Sequence, residues 1–236
     1  MRTCDTIWTI VMKTFPVGLV VEDRRCLVVG GDREAFDKSR RLLMAGARVT
    51  VVSPTVLPAL EAVIRASEGR ARWEARDFVD ADLEPRPCVV VCSVRDEALC
   101  VRLHARSVAD GFLLCTIDQP RWCGFTNLAV AEVGEVVVAL GSGGSAPGLL
   151  RRLRDDLVAG LGGSFPSFTR YVSDVRAKAT PEGRRDAVAE AISGLRLEII
   201  VHLPSHWRAR WRALSPAGYE SGVHSLPPLH DEHDVG

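Results

Sequence analysis

The stretch VVGGDREAFDK, residues 28–38, leads from a run of apolar residues through two glycines into a helix-like pattern. An apolar run that ends in glycines is typical of a buried parallel strand followed by a tight turn. Glycines at such a turn let the backbone approach a pyrophosphate, which rests on the N-terminus of the following helix. The spacing here is Gly30-x-Asp32-x-x-Ala35, and an aspartate stands where another glycine is usual. The turn therefore indicates either a dinucleotide site or a plain tight turn.

The carboxylate of Asp32 counts against the first interpretation. Near a pyrophosphate it adds like-charge repulsion on the order of 1 kcal/mol or more, unless Arg33 or Lys38 neutralises it. An acid for the ribose hydroxyls is expected about 20 residues further on, but the segment VVSP supplies only Ser53. On these residues alone, both interpretations stay open.

Strand-like and helix-like segments alternate from about residue 24 to residue 118. The strand-like runs are 24–31, 48–54, ARWEARDF, 87–94 and 112–118. Between them lie the helical patterns DREAFDKSRRLLMAGA, VLPALEAVIRASEG and RDEALCVRLHARSVADG. This alternation predicts an α/β fold with a doubly wound, parallel, Rossmann-like sheet.

The pattern changes after residue 118. The segment FTNLAVAEVGEVVVALGSGG contains two strand-like runs broken at Gly134, which indicates an antiparallel pair. A helix is predicted to follow, with Ser145 as its cap and Pro147 in its first turn. Helices are predicted from there to about residue 200, and the last stretch lacks periodicity.

Composition excludes several classes of protein. Thirty basic residues balance thirty acidic ones, so the net charge does not indicate a nucleic-acid partner. No apolar run reaches the roughly 18 residues of a membrane-spanning helix. No small-residue cleavage site follows the N-terminal apolar patch, and Met12 is an alternative start. The seven cysteines show no CxxC or zinc-ligand spacing, which indicates reduced thiols and a cytoplasmic location.

Three segments resemble a known family. FPVGLVVEDRRCLVVGGDREAFDKSRRLLMAGARVTVVSP is similar to the opening of the precorrin-2 dehydrogenase/sirohydrochlorin ferrochelatase family, the dehydrogenase-chelatase part of siroheme synthase. TIDQPRWCGF resembles the family's segment with the catalytic aspartate, and VALGSGGSAPGLLRRLRDDL resembles its glycine-rich turn and next helix. The resemblance runs in order from about residue 15 to 200.

The resemblance implies oxidation of precorrin-2 to sirohydrochlorin with NAD, and in many members insertion of ferrous iron. It also implies a homodimer, with the runs around Leu128 to Leu140 as the expected interface, and methylation by a separate protein. Together with the patterns above, it predicts a Rossmann-like domain at 12–118, a dimerisation and active-site region at 119–148, a helical domain at 149–214 and a disordered tail at 215–236.

The same resemblance assigns site residues. Asp118 matches the catalytic position, where a carboxylate at the end of a strand can transfer protons; the alternative is an Asp-x-Pro turn in which the side chain caps its own backbone. Ser142, Gly143 and Gly144 match a turn near the substrate; the alternative is a flexible connector. The residues placed against the cofactor are Gly30, Gly31, Asp32, Ala35, Phe36, Ser53, Pro54 and Val94.

Departures from the family pattern lie on the dinucleotide side. Asp32 replaces the third glycine, Asp37 replaces an arginine, Val94 replaces a hydroxyl residue and Cys100 replaces an asparagine. The cofactor loop is thus degenerate. Four hypotheses follow: an NAD-dependent dehydrogenase that can also insert iron, a metal chelatase that has lost the redox step, a dehydrogenase for another substrate, and a noncatalytic tetrapyrrole- or nucleotide-binding module.

Overall fold

A five-stranded parallel sheet is the centre of the fold. The structure is a computed structural model, and it describes residues 14–206 and Arg210. The strands run in the order β3-β2-β1-β4-β5, which confirms the predicted doubly wound sheet. They are β1 (Arg25–Val29), β2 (Arg48–Val52), β3 (Ala71–Glu74), β4 (Val89–Cys92) and β5 (Leu113–Thr116).

The order of the strands reverses beside β1. The last residue of β1, Val29, lies opposite Val52 of β2 on one side and Cys92 of β4 on the other. Because these pairings are parallel, the carboxyl ends of β1, β2 and β4 meet at one edge of the sheet. In open α/β sheets, ligands bind at such a switch point.

Helices cover both faces of the sheet. The helices of this region are α1 (Arg33–Met44), α2 (Pro58–Arg65) and α3 (Glu97–Asp110). On one face, Ala35 of α1 and Leu60 of α2 pack with buried strand residues such as Val51 and Val91. On the other face, Leu103 of α3 packs with the alternate strand residues. The strands are therefore buried on both sides, which explains their continuous apolar sequence.

An antiparallel pair and three helices follow the parallel sheet. Strands β6 (Ala129–Val133) and β7 (Val136–Leu140) pair across the turn at Gly134, as the sequence predicts. The helices are α4 (Pro147–Leu161), α5 (Phe165–Lys178) and α6 (Arg184–Ala191). The chain divides into two compact units after Lys178. In residues 14–206, no helix has the length and apolar character needed to cross a bilayer.

Two local predictions are wrong. Ser145 does not cap α4: the residue before the helix is Ala146, whose N–H donates to the Ser142 hydroxyl, and Ser145 donates to the Ser142 carbonyl. Helix α6 also ends at Ala191, and residues 192–206 are not helical, because Gly194 takes a left-handed conformation. The predicted tail, 215–236, lies outside the described residues.

Two glycines let the β1–α1 turn lie against neighbouring loops. The Gly30 N–H donates to the Val52 carbonyl, and the Leu57 N–H donates to the Gly31 carbonyl, at 2.9 Å each. Gly30 has φ +119°, and a β-carbon there would overlap the Ser93 hydroxyl. A β-carbon on Gly31 would overlap the carbonyl oxygen of Thr55. Larger residues therefore cannot hold this turn without moving its neighbours.

We predict that Gly31→Ala lowers the free energy of unfolding by about 1–3 kcal/mol, because the added methyl group must displace backbone atoms. Gly160→Ala is the matched control: Gly160 lies in α4 with open space around it, so alanine should raise stability by about 0.5–1 kcal/mol. Urea unfolding of both variants measures the difference. Equal midpoints for Gly31→Ala and the unchanged chain would contradict the prediction.

Candidate functional site

A crevice opens at the switch point of the sheet. It has a volume of about 230 Å³ and lies above the carboxyl ends of β1, β2 and β4. Four residues predicted to contact a cofactor line it: Gly30, Ser53, Pro54 and Val94. Its other lining residues are Val29, Val52, Asp77, Phe78, Asp96, Leu99 and Arg102.

The other four predicted cofactor residues do not line this crevice. Gly31 lies under the carbonyl of Thr55. Ala35 is fully buried against the sheet, and Phe36 packs on the same core. Asp32 is exposed at the start of α1. The structure thus places them in the turn and in the packing of its helix, rather than in the wall of the crevice.

Asp32 caps the first helix. Its Oδ1 accepts a hydrogen bond from the Ala35 N–H at 2.9 Å. The helix dipole favours a negative charge at this end, so the fold stabilises the unusual carboxylate. The N–H groups of Arg33 and Glu34 belong to the same first turn and lack intrahelical acceptors by geometry. They remain available to an anion, while Asp32 supplies a competing charge.

Asp77 lines the crevice, although the sequence did not identify it as a site residue. Ser53 donates its hydroxyl to the Thr55 carbonyl at 2.7 Å, so it is already engaged. Asp77 lines the crevice and lies in the loop after β3. Its carboxylate can accept hydrogen bonds from ribose hydroxyls, the role for which an acid after β2 was expected. The feature that could have identified it from the sequence is an acidic residue shortly after the third strand.

Asp118 lies at the carboxyl end of β5 and pairs with an arginine. The distance from Arg95 NH2 to Asp118 Oδ2 is 2.6 Å, and the Asp118 side chain is 61% exposed. Its φ is +60°, a conformation that aspartate tolerates better than most residues. The side chain accepts a hydrogen bond from Arg95, and none from its own backbone is present among the described residues. Arg95, which follows Val94, was not identified from the sequence.

A hydrogen-bonded network supports the turn that carries Asp118. The Thr116 hydroxyl donates to the Gln119 carbonyl at 2.7 Å, and the Gln119 side chain donates to Cys100 Sγ at 3.2 Å. The Thr116 N–H donates to Cys123 Sγ at 3.2 Å. Cys100, one of the departures from the family, therefore helps to hold the residue next to Asp118.

The Cys123 thiol belongs to the same network. The Cys115 thiol, together with the Thr116 hydroxyl and N–H, lowers the pKa of Cys123 to about 6 against the effect of burial. The hydrogen bond to Cys123 and burial raise the pKa of the Cys115 thiol. The pair therefore favours the thiolate at Cys123 and the protonated thiol at Cys115.

The glycine-rich turn lines a second cavity, of about 270 Å³. Ser142, Gly143 and Gly144 form one wall, and side chains of α1, of α4 and of residues 126–129 form the others. The hydrogen bonds from Ser145 and Ala146 to Ser142 close the turn. Asp118 lies in neither of the two cavities. Among the described residues, no group of three or more His, Cys, Asp or Glu could hold a metal ion.

The fold and the crevice define a Rossmann-type NAD(P)-binding protein, and the comparisons agree. Residues 17–129 match the family described as putative NAD(P)-binding. The siroheme synthase of Thioalkalivibrio sulfidiphilus is 34% identical over 167 residues, which are 71% of this chain and 34% of that protein. The siroheme synthase of Psychrobacter arcticus is 30% identical over 188 residues. This alignment covers 78% of this chain and 34% of that protein.

A solved structure shares the fold. SirC, a precorrin-2 dehydrogenase, superposes with a TM-score of 0.62 at 22% identity, over 76% of this chain and 89% of that one. The chain belongs to the precorrin-2 dehydrogenase/sirohydrochlorin ferrochelatase family that forms part of siroheme synthase. It spans about a third of the length of the siroheme synthases it matches.

We predict that Asp32→Asn strengthens NAD binding roughly fivefold, because it removes about 1 kcal/mol of repulsion while asparagine still caps the helix. Asp32→Ala should also remove the repulsion but lower the free energy of unfolding by about 1 kcal/mol through loss of the cap. Titration calorimetry with NAD and urea unfolding separate the two effects. Weaker NAD binding by Asp32→Asn would show that the carboxylate assists the cofactor.

We predict that iodoacetamide alkylates Cys123 with a rate that levels off shortly above pH 6, because the thiolate is the reactive form. Mass spectrometry of the Cys123 peptide across the pH range measures the rate, with Cys123→Ser to identify the adduct. Thr116→Val removes one donor, so its profile should shift to higher pH. A rate in the unchanged chain that still climbs at about pH 8.5, where ordinary thiols titrate, would contradict the prediction.

Proposed function

We propose that the chain oxidises precorrin-2 to sirohydrochlorin with NAD as the hydride acceptor. The observation that carries this proposal is the position of Asp118. Its carboxylate stands at the carboxyl end of β5, paired with the residue that follows Val94 of the crevice. A base beside a dinucleotide crevice is what removal of a hydride and a proton from one substrate requires. The family membership supports the same reaction.

The residues of the crevice fit a dinucleotide. Gly30 has no side chain where the backbone must approach a pyrophosphate, and the first-turn N–H groups of α1 can donate to it. Asp77 can accept hydrogen bonds from ribose hydroxyls. Val94 and Pro54 supply apolar surface. NAD supplies the hydride acceptor when bound, and the charge of Asp32 lowers its affinity without blocking the crevice.

Asp118 accepts the substrate proton in this proposal. Arg95 binds its Oδ2, which leaves Oδ1 free to face a substrate. The arginine also holds the carboxylate at the carboxyl end of the sheet, because a charge-assisted hydrogen bond restricts its rotation. Arg95 is thus a positioning residue, and Asp118 is the catalytic one.

We further propose that the chain inserts ferrous iron into sirohydrochlorin, with Asp118 as the base for the pyrrole protons and iron as a substrate. It would work as a cytoplasmic homodimer and depend on a separate methyltransferase for precorrin-2. The hairpin of β6 and β7 supports the dimer, because Val136 and Val137 expose apolar surface there.

We predict that Asp118→Asn lowers kcat for NAD-dependent oxidation of precorrin-2 by about 10²–10⁴-fold, the usual contribution of a positioned base. The dissociation constant of NAD should not change, because Asp118 does not line the crevice. Absorbance of NADH measures turnover, and calorimetry measures cofactor binding.

Asp156→Asn is the matched control. Asp156 is, like Asp118, an exposed aspartate paired with an arginine, and it lines neither cavity, so its variant should oxidise precorrin-2 like the unchanged chain. If Asp118→Asn oxidises precorrin-2 at the rate of the unchanged chain, Asp118 is not the base. If the unchanged chain binds no NAD yet inserts iron, the chelatase that has lost the redox step is the better assignment; the charge of Asp32 at the helix N-terminus favours this second candidate.

A further inference from the structure

A groove between α1 and α4 carries an excess of positive charge. It is the cavity of about 270 Å³ beside the glycine-rich turn. Four cationic side chains line it against two carboxylates. The cations are Lys38, Arg41, Arg151 and Arg154, and the carboxylates are Glu34 and Asp37.

Two of the six charged side chains in the lining already have ion-pair partners. The Asp37 Oδ2 atom lies 3.5 Å from Nε of Arg33, a residue that does not line the groove. Arg154 pairs with Asp155 at 2.6 Å, and its side chain is only 20% exposed. These pairs neutralise one carboxylate and one cation of the lining. The excess therefore rests on the cations that remain.

Lys38, Arg41 and Arg151 are those cations. Within the part of the chain that the structure describes, none of the three has a carboxylate oxygen within 4.0 Å. Lys38 and Arg41 come from α1, and Arg151 comes from α4, so the positive charge lies on two walls. Guanidinium groups bind carboxylates through paired hydrogen bonds. The groove is therefore suited to a ligand with at least two separated carboxylates.

The volume of the groove restricts what can enter. Sites that enclose a whole drug-sized ligand measure about 300–1,000 Å³, somewhat more than this groove. The groove can take carboxylate arms and leave the body of a larger ligand outside. Its uncharged lining, which includes Thr126, Asn127 and the turn at Ser142, is polar enough to stay hydrated around such arms.

We propose that Lys38, Arg41 and Arg151 bind the carboxylate side chains at one edge of the tetrapyrrole. This inference rests on the proposed function and adds the part of the chain that recognises the charged edge of its substrate. Arg154 is already paired with Asp155 and is not one of the proposed ligands. The three cations fix the orientation of the macrocycle. Asp118, which does not line the groove, accepts the substrate proton.

Binding of sirohydrochlorin to the full chain, followed by quenching of tryptophan fluorescence, tests the inference. Lys38→Gln, Arg41→Gln and Arg151→Gln should each raise the dissociation constant about tenfold, since each removes a charge-assisted hydrogen bond. The dissociation constant of NAD should stay the same. The matched controls are Arg40→Gln on α1 and Arg152→Gln on α4, because neither residue lines the groove; both should bind sirohydrochlorin like the unchanged chain.

Equal affinities in the groove variants and the controls would overturn the inference. Inorganic phosphate is the second probe: if it binds the unchanged chain as tightly as sirohydrochlorin and loses the same factor in the variants, the groove is a general anion site and the inference fails. If Arg151→Gln oxidises precorrin-2 with an unchanged KM, the groove does not bind the substrate, and the proposed function still holds. If the unchanged chain neither binds sirohydrochlorin nor oxidises precorrin-2, both the inference about the groove and the proposed function are wrong.

Discussion

The crevice depends on two positions that have no side chain. Gly30 and Gly31 let the β1–α1 turn lie against Ser93 on one side and the Thr55 carbonyl on the other. Because these contacts join loops that follow three different strands, they set the distance between the walls of the crevice. A methyl group at either glycine would push the loops apart, and α1 would start from a different place.

The N-terminus of α1 has to serve two negative groups. Asp32 takes one N–H for its cap, and the same helix end is where a pyrophosphate would bind. The cap strengthens the helix and at the same time lowers the local positive potential. The fold thus gains stability at a place where most dinucleotide sites use glycine. The groove beside Lys38 and Arg151 differs, because there no carboxylate of the described residues 14–206 lies close enough to neutralise these two cations.

The turn at Asp118 shows how an exposed carboxylate is held in place. A positive φ costs stability in a residue that has a β-carbon. Hydrogen bonds from Thr116 and Gln119 offset that cost, and Arg95 restrains the side chain from across the edge of the sheet. Because the two arms of this arrangement come from loops after β4 and β5, the parallel pairing of those strands decides the geometry of the base.

The sequence by itself determined the order of strands and helices through residue 118, the antiparallel pair and the start of α4 at Pro147, because apolar period, glycine and proline act locally. It also singled out Asp118 and the turn at Ser142. Only the tertiary structure brought Arg95 to Asp118, Asp77 to the crevice, and Lys38 and Arg151 to the lining of one groove, because these residues are far apart in the chain and come together through strand order and helix packing. The end of α6 at Ala191 needed it too, since the sequence beyond that point does not distinguish helix from extended chain.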